Sequence, residues 1–191
     1  MDRRQKKTRK AIYEAFSGLI QEKDYREITI QDIIDRADIG RSTFYSHFNT
    51  KDELLEDLCS QIFAHISEDH GSREGTHDFS TAPDTLCEML THLLYHLRGQ
   101  DCIVSGMLLG ESRQVFLRYL DEYLSALMVR FIPSGAGAPQ DYLLDAAVHG
   151  FSRSVIWWVQ RQMKEAPEEM ERMFETACPW LLYSENREIS R

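Results

Sequence analysis

The sequence predicts an all-α protein, a small three-helix head built on a helix-turn-helix followed by a larger helical bundle. Apolar residues return every three or four positions along almost the whole chain, the spacing of one helix face. No segment shows the sustained alternation of a half-buried strand. The prolines Pro83, Pro133, Pro139, Pro167 and Pro179 fall at breaks between the periodic segments. With 42% hydrophobic and 28% charged residues, the 191-residue chain has the balance of a globular protein. It is long enough for one good core, or for a small module fused to a larger one.

The first helix is expected over about 4–22, where Ile12, Phe16, Leu19 and Ile20 stand at i, i+4, i+7 and i+8. Asp24 and Tyr25 interrupt the pattern. Thr29 is placed to cap a second helix, and Asp32 three residues on adds negative charge to its first turn. That helix turns Ile30, Ile33, Ile34 and Ala37 inward. A tight turn follows at Asp38-Ile39-Gly40, since glycine takes positive φ freely and aspartate tolerates it better than most residues. A third, short helix spans about 41–48. Thr50 with Glu53 fits a capping box, so a fourth helix starts near Lys51 and runs to about 67, apolar at Leu54, Leu55, Leu58, Ile62 and Phe63.

Residues 68–83 (EDHGSREGTHDFSTAP) are polar and aperiodic and read as a loop or linker. A fifth helix is expected over 84–98, with Leu86, Leu90, Leu93, Leu94 and Leu97 inward, then a short apolar helix over 101–110. Another at 112–131 carries Val115, Phe116, Tyr119, Leu120, Tyr123 and Leu127, and PSGAGAP at 133–139 closes it. The helix expected over 140–165 is apolar on nearly every side in its middle (AAVHGFSRSVIWWV), which predicts burial in a core or against a second subunit. The last, over 167–183, opens with Pro167 in its first turn and shows Met170, Met173, Phe174, Ala177 and Leu181 on one face.

Net charge is −9, at first sight a poor match for a polyanion. The distribution answers this. Residues 1–53 carry 11 Lys and Arg against 10 Asp and Glu, leaving 11 against 21 for the remaining 138. Six of the first ten residues are basic: Arg3, Arg4, Lys6, Lys7, Arg9 and Lys10. An acidic body with a basic tip points one end at a polyanion and turns the other away.

The helix-turn-helix gives that tip a reading element. A groove about 12 Å wide admits a slim helix with donors along its outer face. Arg41, Ser42 and Thr43 open the third helix, where free backbone N–H groups and the helix dipole favour acceptors. Arg41 suits a guanine edge, and Thr43 a thymine methyl or a phosphate. Phe44 and Phe48, four apart, are expected to face the head's own core.

The stretch ITIQDIIDRADIGRSTFYSHFNTKDELL, residues 28–55, resembles the DNA-binding signature of the TetR family of bacterial repressors. The likeness is specific over about 8–58 and architectural beyond. Its matching positions are Thr29 opening the second helix, Ala37 before the turn, Thr43-Phe44-Tyr45 with His47-Phe48 in the recognition helix, and Lys51 opening the next. The resemblance implies that Thr29, Tyr45, His47 and Lys51 grip phosphates while Arg41, Ser42 and Thr43 face bases. Two departures stand out. Asp38 replaces the usual glycine of the turn, and Gly40 and Ser42 stand where the family has a serine and then a glycine. Asp38 still suits the turn, but Gly40 lacks the hydroxyl that would cap the recognition helix.

The same resemblance implies a DNA-binding domain over 1–50 and a ligand-binding and dimerisation domain over 51–191. It implies a homodimeric repressor on a palindromic double-stranded operator, its last two helices pairing with their symmetry mates and Met163, Met170 and Met173 in the seam; the N-terminus MDRRQKKTRK, with no apolar stretch after its charges, makes the cytoplasm the expected compartment. A small apolar ligand would lie among Phe63, Leu94, Met107, Phe116, Tyr119, Tyr123, Phe151 and Trp157, and shift the fourth helix like a pendulum. The alternative is a helical protein-binding adaptor or coactivator on the same fold, without ligand response.

Other chemistry has less support. There is no GxSxG, HExxH or phosphate-binding glycine loop, so no enzyme activity is expected. No cofactor, metal or membrane partner is expected either, and no apolar run approaches a membrane span. Glu88, His92 and His96 share one helical stripe and read as a polar surface face. Cys59, Cys87, Cys102 and Cys178 form no CxxC pair and read as free thiols.

Overall fold

The structure, a computed structural model, describes residues 3–68, 73–74, 77–78, 85–132 and 137–179. Its helices are α1 (Arg3–Glu22), α2 (Ile30–Ala37), α3 (Arg41–Tyr45), α4 (Lys51–Glu68), α5 (Leu86–Gly99), α6 (Asp101–Leu109), α7 (Arg113–Met128), α8 (Gln140–Gln160) and α9 (Pro167–Ala177). Short 3-10 turns lie at Tyr25–Glu27 and Val129–Phe131. The all-α architecture is the one expected. Within the stretch read as a loop, β1 (Arg73–Glu74) and β2 (His77–Asp78) pair antiparallel, Arg73 opposite Asp78 and Glu74 opposite His77. No helix among the described residues is long and apolar enough to cross a membrane.

Helix ends follow capping chemistry. Thr29 and Asp32 close a full capping box at α2, Asp32 N–H to Thr29 Oγ1 at 3.1 Å and Thr29 N–H to Asp32 Oδ2 at 2.7 Å. At α4 the box is half the expected one. Glu53 N–H reaches Thr50 Oγ1 at 3.0 Å, but the Glu53 carboxylate turns to the Asn49 N–H at 2.7 Å. Thr85 and Glu88 form a third box, opening α5 two residues later than expected. Thr-x-x-Glu before an apolar run is the sequence signature that announces it.

In the head, α1 packs across α2, and Ile12, Phe16, Ile28, Ile33, Phe44, Phe48 and Leu54 are buried together. Each such side chain contributes on the order of 1.5–3 kcal/mol of apolar transfer. The head joins the body where α1 meets α6 and where α4 lies along α7. Arg26–Glu111 at 2.8 Å and Arg118–Glu56 at 3.0 Å are ion pairs across the same two seams.

In the body, α8 packs on α6, α7 and α9. The chain itself buries Leu143, Ala147, Val148, Phe151, Val155, Ile156, Trp158 and Val159 of this helix, which accounts for most of its apolar surface. Only Tyr142 and Trp157 among its large apolar residues stand exposed. α8 ends at Gln160, five residues before the expected boundary, in a Schellman closure. Met163 N–H returns to Trp158 O and Gln162 N–H to Val159 O, with Gln162 at φ 62°. Met163 and Met170, expected in a subunit seam, are buried in the chain's own core; Met173 alone of the three is exposed.

The Glu88–His92–His96 stripe needs correction. His92 and His96 are buried, their Nε2 atoms 2.9 Å apart, and Glu88 serves as the cap of α5. Sequence spacing gives the stripe but not what covers it, and here the apolar helix face carries the polar pair inward.

Candidate nucleic-acid interface

The turn before α3 is a second Schellman closure. Ile39 N–H returns to Ile34 O at 3.3 Å and Asp38 N–H to Asp35 O at 3.4 Å. Asp38 takes the left-handed conformation, φ 51° and ψ 52°, that this closure demands of its turn residue. The aspartate therefore makes the turn as expected, at a position where glycine carries no steric cost. Ile39 packs on the core behind it. Gly40 is extended, caps α3 with no side chain, and offers its carbonyl to the N–H groups of Thr43 and Phe44.

Phe44 sets the roll of α3. It is fully buried, with Phe48 at 6.2 Å between ring centroids and Tyr45 edge-on at 5.6 Å. With that face inward, Arg41, Ser42 and Tyr45 are exposed and Thr43 half-buried. Arg41 makes no hydrogen bond or ion pair with any described residue. α3 ends at Tyr45, three residues short of the expected end; Ser46 Oγ donates to Thr43 O at 2.7 Å and His47 lies in the turn that leads to Phe48. The exposed side chains thus occupy barely more than one turn, presented from a rigid base.

Thr29 and Lys51 are engaged within the head. The Thr29 hydroxyl accepts from Asp32 N–H and donates to Asp32 Oδ2 at 2.6 Å. The hydrogen bonds from Lys23 and Thr29 hold the Asp32 carboxyl well below the usual range. Lys51 Nζ donates to three main-chain carbonyls, Tyr25 at 2.7 Å, Ile28 at 2.9 Å and Arg26 at 3.3 Å. An ammonium has three N–H donors, so all are occupied. Its charge still stands at the first turn of α4, beside Thr29 and the end of the 3-10 turn.

Sequence reasoning missed the contacts that tie the basic arm to the body. Arg9 Nε donates to Tyr13 Oη at 2.6 Å, its guanidinium pairs with Asp57, and Tyr13 donates to the same carboxylate. Burial pushes the Tyr13 hydroxyl up to about 12, with the Asp57 hydrogen bond adding to it, so the proton stays on tyrosine. Arg9 is therefore a structural cation, 5.3 Å above the Phe48 ring. Among the described side chains, the exposed arm cations are Arg3, Lys6, Lys7 and Lys10. Spacing within α1 and α4 does not reveal a pairing 48 residues apart.

The residues expected around a ligand separate into groups. Phe63, Phe116 and Tyr123 form an aromatic cluster between α4 and α7, with Phe63 5.5 Å from Phe116 and 5.6 Å from Tyr123. Met107 is buried near Cys59, 3.9 Å between sulfurs, and Leu94 is buried in the same core. Phe151 stacks edge-on against Phe174, and Tyr119 is half-buried under Arg118. Trp157 stands apart, exposed on α8 with Arg161 4.7 Å over its ring. A groove of about 690 Å³ lies between α1 and α6, lined by Ile20, Lys23, Ser105, Gly106 and Leu109 among others. None of the eight expected residues lines it.

Known proteins match this arrangement in both parts. Residues 12–58 match the profile of bacterial regulatory proteins of the tetR family, and 84–178 that of a transcriptional regulator C-terminal region. The chain is 42% identical over 72 residues to the uncharacterized HTH-type transcriptional regulator YxbF of Bacillus subtilis. It is 37% identical over 68 residues to the HTH-type dhaKLM operon transcriptional activator DhaS of Lactococcus lactis. These matches cover 35% and 36% of this chain, and the chain spans only 19% and 36% of the two relatives' own length. A TetR transcriptional regulator from Streptococcus agalactiae is similar throughout, at TM-score 0.73 and 30% identity, over 92% of this chain and 96% of that one. With both parts matched and a relative aligned along nearly its full length, the chain belongs to the TetR family of bacterial transcriptional regulators.

Proposed function

We propose that the chain works as a homodimer that represses transcription by seating α3 of each subunit in the major groove of a palindromic operator. The observation that carries the reading is the outer face of α3. Arg41 and Ser42 stand exposed at its start with Tyr45 one turn on, while the buried Phe44 fixes the helix from behind. Arg41 and Ser42 meet base edges, with Thr43 beside them; Tyr45, His47 and the arm cations Lys6 and Lys7 meet phosphates. Thr29 and Lys51 act at the same surface, Thr29 by holding the start of α2 and Lys51 by holding the 3-10 turn in register and adding positive potential.

The second subunit packs on the outer faces of α8 and α9. Tyr142, Trp157 and Met173 are exposed there, and Ala146 between Tyr142 and Trp157 is exposed and small enough for helices to approach closely. Two-fold symmetry then sets two recognition helices on one side of the duplex. A small apolar ligand entering the Phe63–Phe116–Tyr123 cluster displaces α4 and so the head. In this arrangement Trp157 belongs to the dimer face.

The test is selection of bound duplexes from a random pool by the purified chain at several salt concentrations. A two-fold symmetric site whose affinity falls steeply with salt is expected. A folded dimer that selects nothing sinks the proposal and leaves the adaptor reading. The word activator in the name of the Lactococcus relative favours one second reading: the same operator binding with a positive effect on transcription. A promoter fusion assayed with and without the chain separates the two signs.

A further inference from the structure

Far from α3, the seam between α5 and α9 brings a thiol and two carboxylates together. Cys87 on α5 donates from Sγ to Glu175 Oε1 at 2.8 Å, and Glu171 stands one turn earlier on the same face of α9. One donor atom from each of the three lies within 4.8 Å of the other two. Glu171 is 7% exposed, and its Oε1 is buried with no hydrogen-bond partner. No ion pair from a described residue reaches Glu171 or Glu175. A buried carboxylate oxygen without a partner is costly and rare in folded proteins, and the i, i+4 carboxylates Glu171 and Glu175 repel each other when both are charged, a repulsion Arg172 offsets only from a distance. Packing does not require this. A glutamine at 171 would fill the space without the charge.

We propose that Cys87, Glu171 and Glu175 bind one divalent cation of the zinc class, clasping α9 onto α5. Sulfur with two oxygens is a donor set of borderline softness, suited to Zn²⁺ more than to Mg²⁺ or Ca²⁺, which take oxygen alone. With about 2.3 Å to sulfur and about 2.0–2.2 Å to oxygen, tetrahedral donors stand roughly 3.4–3.6 Å apart. Cys87 and Glu175, now 2.8 Å apart, reach that spacing by opening somewhat under about 1 Å, and Glu171 has a donor atom within 4.8 Å of both. The thiol releases its proton to solvent as the Zn–S bond forms. Cys87 and Glu175 are half-buried, which leaves a path for the ion, and a fourth position remains for water or an added ligand. The clasp holds α9, whose outer face carries Met173, against the body. The site stands whether or not the operator reading does, since none of its residues touches the head.

The experiment is titration of the reduced, metal-free full chain with Zn²⁺ against a chromophoric chelator, and with Co²⁺ alone as a spectroscopic probe. One equivalent per chain is expected, with a raised Tm and a thiolate-to-cobalt charge-transfer band. Cys87→Ser removes the band, whereas Cys59→Ser and Cys178→Ser keep it. Glu171→Gln weakens Zn²⁺ binding by more than the roughly 10–100-fold that outer-shell changes cost, while the metal-free chain stays at least as stable. That combination separates a ligand from a merely structural glutamate. A folded chain that takes up no ion overturns the proposal. So does a band that survives Cys87→Ser, or Zn²⁺ binding unchanged in Glu171→Gln, either of which moves the ion elsewhere.

Discussion

Lys51 holds Tyr25 twice: its ammonium donates to the Tyr25 carbonyl at 2.7 Å and lies 4.4 Å over the centre of the same residue's ring. The first residue of α4 thereby closes the 3-10 turn that precedes α2, and the two ends of the helix-turn-helix are bolted together by one side chain. Lys51→Ala is expected to lower stability by about 1–3 kcal/mol, the worth of hydrogen bonds to a charged donor and a cation–π contact. Denaturant unfolding measures it. A variant as stable as the parent, with binding weakened alike on every duplex and a shallower salt slope, would make Lys51 a phosphate grip instead.

Arg41 is expected to behave oppositely. Exposed and unpaired among the described residues, it contributes nothing to the fold. Arg41→Ala should leave Tm in place, weaken specific binding by about 1–3 kcal/mol and relax preference at one base pair. Titration of single-substituted operators checks this, and an unaltered preference at every position would assign Arg41 to phosphate.

Gly106 on α6 sits where α1 comes closest. A Cβ there would stand 2.7 Å from Ile20 Cγ2 and 3.1 Å from the Ile20 carbonyl. Ile20 can turn aside but the carbonyl cannot. Gly106→Ala is expected to push α1 off α6 at a cost of about 1–3 kcal/mol and to change operator affinity through the altered set of the head. Thermal unfolding and operator titration read the two effects. Operator affinity untouched alongside lost stability would mean that this seam does not set the head.

Asp32 gives the head an acid limit. Its carboxyl is held below the ordinary value by Lys23 and Thr29, so the stability it contributes is present above about 3.9, its unfolded value, and is lost as pH falls from there. Asp32→Asn is expected to flatten the acid side of the stability profile, measured as denaturant midpoint against pH. A profile with the parent's slope would place the acid-sensitive group elsewhere.

Local rules explain why the head was legible. Thr29, Asp38, Gly40 and the pair Phe44–Phe48 act within a turn or two of themselves, through caps, a left-handed residue and i, i+4 packing. The ends of α2 and the inward face of α3 could therefore be read directly from the order of residues. The third capping box at Thr85 carried the same local signal. Long-range partners carried none. That Lys51 spends its donors on Tyr25, Arg26 and Ile28, or that Arg9 belongs to Asp57, follows from how α4 crosses the head.

By itself the sequence determined the helical class, the order of elements, the turn chemistry of the head and the residues presented by α3, because each depends on periodicity and on contacts close in the chain. Only the tertiary structure decided which apolar faces are shared. It buried α8 mostly within its own chain, put His92 beside His96 in the interior, left Trp157 outside, and set Cys87 against Glu171 and Glu175. A helix pattern specifies which side wants cover; packing between distant helices settles what covers it.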